Sequence, residues 1–243
     1  MTSETRDREK KQPPVRTRAD PATRSDRADI AAFLAQAKAV TPTPGRRGRL
    51  IFALDATMSR QPTWDSAQQI QAEMFQEAGN IGGLDVQLLY FRGFGECRAS
   101  KWVGDTGSLA GLMTGIQVRG GHTQIGKVLA HARRETNRQR VQAMVFVGDA
   151  FEEDADAICA RAGELGILGV PVFVFQEGRD AAVERVFREV ARLTKGAYAR
   201  FDQSAVHELA ALLRAVAAYA AGGRKALSDQ GGRSGQLLLE QLG

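Results

Sequence analysis

From Arg49 onward the sequence alternates between two hydrophobic periodicities. RLIFALD (49–55) is a short apolar run closing on a carboxylate, the pattern of a buried strand. Residues 63–78 then set Ala67, Ile70, Met74 and Ala78 on one helical face, with Gly79 as a stop. LDVQLLYF (84–91) and ECRASKWV (96–103) read as two strands. Only Arg92–Gly95 lies between them, too short for a parallel crossover, so this pair is expected to be antiparallel. Next come a helix near 107–116, the GGHT loop, a helix over 123–138 and the strand VQAMVFVGD (141–149). A helix at 154–165, the strand VPVFVFQE (170–177), a helix near 180–195, the strand AYARF (197–201) and a helix over 204–220 complete the pattern.

Strands that alternate with helices predict an α/β fold, a doubly wound and mostly parallel sheet of about six strands with helices on both faces. The antiparallel strand 96–103 is expected at one edge. The pattern spans 49–221 as one domain. Ahead of it, residues 1–48 read as a basic and largely disordered tail with a short helix near 26–40, where Ile30, Phe33, Leu34 and Ala37 share a face. Behind it, 222–243 reads as a Gly-rich tail ending in LLLEQL, a loose end or a docking peptide.

Composition narrows the function classes. With 43% hydrophobic and 25% charged residues in 243, the chain matches ordinary globular proteins. Its net charge of +5 comes entirely from residues 1–48, which hold 11 Lys and Arg against 6 Asp and Glu. The folded part is therefore balanced, which argues against nucleic acid as its partner and leaves only the tail as a candidate contact. Cys97 and Cys159 are far apart and belong to no metal-ligand spacing, as in a reducing compartment. No secretory signal and no apolar run near the ~20 residues of a membrane helix is visible, so a cytoplasmic protein is expected.

Three separated segments carry the chemistry: Asp55-Ala56-Thr57-Met58-Ser59 after the first strand, Gly120-Gly121-His122-Thr123 opening a helix, and Gly148-Asp149 closing the strand VQAMVFV. In a doubly wound sheet the carboxyl ends of strands form the site, and the first and third segments share that edge. Two carboxylates and three hydroxyls offer oxygens only, the donor set of a hard cation such as Mg²⁺, with Mn²⁺ or Ca²⁺ as alternatives. Taken singly, Asp55 and Thr123 read as helix caps; the metal reading rests on the three segments together. Of the histidines, His131 and His207 fall inside helices and His122 at the rim of the loop, so no nucleophile–base pair is evident. Trp64 and Trp102 read as packing residues, Trp64 close enough to the site to join a contact surface.

ALDATMS resembles the DxSxS segment of the metal-ion-dependent adhesion site of von Willebrand factor type A domains, with threonine at the first hydroxyl position. GGHTQIGKVL resembles that family's glycine-rich loop, and VFVGD the strand ending in its last aspartate. The resemblance spans 49 to about 218, with the segments in the family's order. It implies a Rossmann-like sheet with Asp55, Ser59 and Thr123 as direct or near-direct metal ligands, Thr57 and Asp149 acting directly or through water, and a partner's carboxylate completing the coordination. It also implies an intracellular, bacterial-type adaptor or cofactor, non-enzymatic, working beside an AAA+ ATPase or chaperone component. Ala150 stands where many relatives have glycine, and the nearby run Glu152, Glu153, Asp154 is expected to bias the site toward tighter cation binding. The alternative is a Mg²⁺-dependent phosphohydrolase resembling haloacid dehalogenases, with Asp55 as nucleophile. Thr57 departs from that pattern, which has a second aspartate there.

Overall fold

The computed structural model describes residues 47–63 and 84–201. The helices expected near 26–40, 63–78 and 204–220, residues 1–46 of the N-terminal tail, the C-terminal tail, Trp64 and His207 lie outside the described residues. The last two residues expected in the N-terminal tail belong to the domain: Arg47 pairs with Asp85 at 2.6 Å and Gly48 opens the first strand.

Six strands form one sheet: β1 (Gly48–Asp55), β2 (Leu84–Arg92), β3 (Glu96–Ala99), β4 (Ala143–Gly148), β5 (Val172–Glu177) and β6 (Ala197–Phe201). Their order is β3-β2-β1-β4-β5-β6, with every pair parallel except β2 and β3. The chain builds outward from β1 to β3, then returns to the other side of β1 for β4. The direction of winding thus reverses between β1 and β4, and a crevice opens there beyond the carboxyl ends of the strands.

Four helices are described: α1 (Thr106–Thr114), α2 (Ile125–Arg138), α3 (Ala155–Ile167) and α4 (Ala181–Leu193). Along α2 the buried positions Ile125, Val128, Leu129 and Ala132 follow the helical repeat. They join Ile158 and Leu165 of α3 and Val183 and Phe187 of α4 against Ile51, Ala53, Phe91, Met144, Phe146 and Val174 on one sheet face. The alternate strand residues Leu50, Phe52, Leu54, Val145, Val147, Phe173 and Phe175 are buried as well, so both faces are covered. Each such side chain contributes about 1.5–3 kcal/mol relative to exposure. Asp105, Asp154 and Asp180 begin α1, α3 and α4 by accepting amide hydrogens of the first turn.

The edge strand is shorter than the sequence pattern implies. Regular pairing stops at Ala99 and resumes at Val103, which exchanges backbone hydrogen bonds with Val86 at 2.8 and 3.0 Å. Three steps along β2, Leu89 to Val86, face four along the edge, Ala99 to Val103, so the edge carries a bulge. The displaced segment aims Trp102 inward. Its indole Nε1 donates to Glu135 at 2.8 Å, and the Arg49 guanidinium lies 3.7 Å from its ring. Arg49 and Glu135 form an ion pair at 3.0 Å, with side chains 7% and 8% exposed.

Candidate functional site

β1 delivers Asp55 to the crevice with no exposed surface. Its Oδ1 accepts the Thr57 amide at 2.8 Å, turning the chain sharply into a 3₁₀ turn, Met58–Thr63. Oδ2 is buried with no hydrogen-bond partner. The Thr57 and Ser59 hydroxyls bond each other at 2.9 Å, Thr57 buried and Ser59 exposed.

The glycine-rich loop is pinned beside this turn. The Arg119 amide donates to the Ala56 carbonyl at 3.0 Å, and the Ala56 amide donates to the Phe91 carbonyl of β2 at the same distance. His122 donates its amide to Gly93 in the β2–β3 turn at 3.2 Å. The two backbones are so close that a β-carbon at Gly121 would collide with the Gly93 carbonyl group, which is why glycine stands there. Arg92 holds Glu96 through two 3.0 Å bonds and reaches the Gln117 carbonyl at 2.7 Å, bracing the same turn.

Thr123 lies two residues before α2 rather than inside it. It is clamped to the β4–α3 loop: its amide donates to Glu152 Oε2 at 3.0 Å, and its Oγ1 accepts the Glu152 amide at 2.8 Å. Glu152 also bonds His122 Nδ1 at 2.9 Å. Glu153 accepts the Ile125 and Gly126 amides, each at 2.7 Å, and so supplies the cap that Gln124 does not. Asp154 caps α3. The acidic run expected to tighten cation binding is instead bonded, carboxylate by carboxylate, to backbone amides. Those bonds and the neighbouring His122 hold Glu152 below the usual carboxylate range.

Asp149 follows β4, in the register that sets Gly148 beside Asp55. Its Oδ1 is buried and unpartnered like Asp55 Oδ2. Burial pushes the Asp55 carboxyl up to about 6, against the lowering pull of its Thr57 hydrogen bonds; the charge of Asp149 adds to the rise and Arg60 opposes it. Arg60, fully buried in the 3₁₀ turn, pairs with Glu177 at the end of β5 at 2.9 Å. Sequence reading did not single out Arg60, Glu177 or the clamping roles of Glu152 and Glu153.

All three segments therefore meet at the crevice. Two buried, unpartnered carboxylate oxygens on neighbouring strand ends are donors suited to a hard divalent cation, with the Thr57–Ser59 hydroxyl pair on the same turn as Asp55 and the Thr123 hydroxyl on the adjoining loop. Among the described residues no group of three or more His, Cys, Asp or Glu gathers as a metal cluster, so a cation here would draw on the hydroxyls. The rim is apolar on two sides. Met58 is 53% and Phe94 83% exposed, and Phe94 packs edge-on against the His122 ring at 5.2 Å between centroids.

No family model matches the sequence. No curated protein matches it either. Solved structures do. A von Willebrand factor type A protein from Catenulispora acidiphila aligns with TM-score 0.60 and 15% identity, over 73% of this chain and 43% of that one. The pilus adhesin SpaC from Lactobacillus rhamnosus GG aligns with TM-score 0.59 and 12% identity, over 74% and 31%. The SpRpn10 VWA domain aligns with TM-score 0.54 and 16% identity, over 68% and 94%. The chain thus spans less than half the length of the first two. At these identities the likeness shows the fold, and that fold is the one found in von Willebrand factor type A domains.

Proposed function

We propose that this chain is a metal-dependent protein-interaction module, in which Asp55, Thr57, Ser59, Thr123 and Asp149 hold a divalent cation that binds a partner's carboxylate. The observation that carries this reading is the pair of buried carboxylate oxygens, Asp55 Oδ2 and Asp149 Oδ1, with no hydrogen-bond partner at the crevice. Unpaired buried charge is costly, and a cation is the group that would relieve it. Mg²⁺ suits the oxygen donors and retains waters that a carboxylate can displace; Mn²⁺ and Ca²⁺ are the alternatives. The site is read as non-enzymatic. His122 bonds Glu152 and His131 bonds Gln87, and neither ring is hydrogen-bonded to a hydroxyl or thiol among the described residues.

Among the described residues no helix is long and apolar enough to cross a membrane. The sequence resemblance extends the proposal to a cytoplasmic adaptor whose partner is an AAA+ ATPase or chaperone component offering an acidic residue. Calorimetric titration of Mg²⁺ into the wild type and Asp55→Ala tests the metal. Heat in the wild type that the variant lacks is expected, and equal binding by both proteins overturns the reading. Affinity purification with and without EDTA tests the partner, which should be recovered only when the cation is present.

A further inference from the structure

Along α2, starting one helical turn beyond Thr123, lies a groove of about 300 Å³, lined by Gly95 and Cys97 of the edge hairpin, Gly126, Lys127, His131 and Arg134 of α2, and Arg161 of α3. Its position follows from the fold. Gly126 is three residues beyond Thr123, and Gly95 adjoins the exposed Phe94 at the rim. Lys127 Nζ donates to the Gly95 carbonyl at 3.2 Å and to Gln124 Oε1 at 2.8 Å, which ties its charge to the edge hairpin and the first turn of α2. Arg161 reaches across from α3 to lie against Gly126, its Nη1 in the space that a β-carbon at residue 126 would take.

The groove carries a positive excess. Lys127, Arg134 and Arg161 are exposed, and neither arginine forms an ion pair among the described residues. His131 is bonded to Gln87, and burial lowers its pKa, leaving it neutral near pH 7. The carboxylate facing these cations is Glu153, already bonded to the Ile125 and Gly126 amides. That capping has a second effect. The free amides that make a helix N-terminus a phosphate cradle are occupied here by a side chain of the protein itself. The cations are also strung out. Lys127 and Arg134 are seven residues apart on α2, about 10 Å along its axis, which matches about three residues of extended peptide.

We infer that this groove is an acidic-peptide subsite, taking further carboxylates of the same partner whose first carboxylate meets the cation at Asp55, Thr57, Ser59, Thr123 and Asp149. The inference rests on the metal-dependent reading above and specifies its partner: an acidic segment with an apolar residue to lie over Met58 and Phe94, continuing into more acidic residues along α2. Carboxylates on a flexible peptide reach separate cations in turn, which a single compact phosphate does not.

The test uses a fluorescein-labelled hexaglutamate peptide as probe and the full chain as receptor, by anisotropy, in Mg²⁺ and in EDTA. Arg134→Glu with Arg161→Glu reverses the groove. Arg140→Glu with Arg179→Glu, both exposed and outside it, gives the same change in net charge and controls for attraction by the basic tail. Losing two weak charge contacts should cut affinity about tenfold in the groove variant, in Mg²⁺ and EDTA alike, and leave the control close to wild type. Asp55→Ala should remove only the Mg²⁺-dependent increment. Cys97, half-buried in the groove wall, reports occupancy directly: in a Cys159→Ser background the peptide should slow its alkylation, except in the groove variant.

Equal loss in the groove and control variants overturns the inference, as does unchanged Cys97 alkylation. Pyrophosphate displacing the peptide and protecting Cys97 at lower concentration also overturns it, in favour of a phosphate site. If Mg²⁺ and Asp55→Ala change nothing while groove reversal still weakens binding, the groove stands and the metal reading fails. Thermal melts matching wild type confirm that the exposed substitutions leave the fold intact.

Discussion

Replacing Asp55 by asparagine removes one ionisable carboxyl and keeps an oxygen for the Thr57 amide, which makes it a direct probe of the charge stored in the crevice. Burial raises the Asp55 pKa from 3.8 to about 6, with Asp149 adding to the rise. Because the folded-state value lies above the unfolded one, the protonated carboxyl favours the fold and ionisation works against it. The group's contribution is fully present below about pH 4 and is lost as pH rises through about 6. A shift of roughly two units corresponds to about 3 kcal/mol. In EDTA, Asp55→Asn should therefore match the wild type near pH 4 and exceed its stability by about 3 kcal/mol near pH 7.5, measured by urea unfolding across that range. Saturating Mg²⁺ should narrow the gap at neutral pH, because the ion stabilises the wild type by about 2.7 kcal/mol at a hundred times its Kd and leaves the variant unchanged. A variant less stable than wild type at pH 7.5 in EDTA, or a difference constant with pH, refutes the argument.

Two further substitutions test how the site is supported. Glu135→Ala removes the carboxylate that balances the buried Arg49 guanidinium and accepts the Trp102 indole N–H, leaving Arg49 only its bond to the Gln139 carbonyl, so denaturant unfolding should show a loss of about 3–5 kcal/mol. Gly121→Ala drives a β-carbon into Gly93 and should cost about 1–3 kcal/mol in melts while weakening Mg²⁺ binding by calorimetry. Gly120→Ala, whose β-carbon meets nothing within 4 Å, should leave both measurements near wild type.

The sheet was legible in the sequence because each strand is a short apolar run bounded by polar turns, and the helices between them carry a different period. The brief Arg92–Gly95 connection fixed the antiparallel edge in the same local way. Asp55 and Asp149 were legible because strand ends in this topology converge, and the register between β1 and β4 sets Asp55 beside Gly148. What escaped notice depends on contacts between distant segments. Arg60 and Glu177 meet only after β5 takes its place two strands from β1, and no periodicity marks an arginine for complete burial. Glu152 and Glu153 read as spare negative charge until α2 arrives with two uncapped amides and Thr123 with a third. The bulge at 100–102 was hidden for a related reason: one residue too many in a strand pattern still alternates on each side of the slip.

That bulge also bears on how another protein can be held. A long, flat edge strand invites an incoming chain to hydrogen-bond along it, and many recognition domains capture peptides in this way. Here the edge is four residues long, is interrupted directly afterwards, and presents the exposed Arg98 and Lys101. It offers little backbone ladder to a newcomer and little nucleus for stacking copies of the same chain. Recognition on this side must then proceed through side chains, which makes it selective for chemistry rather than for any extended segment.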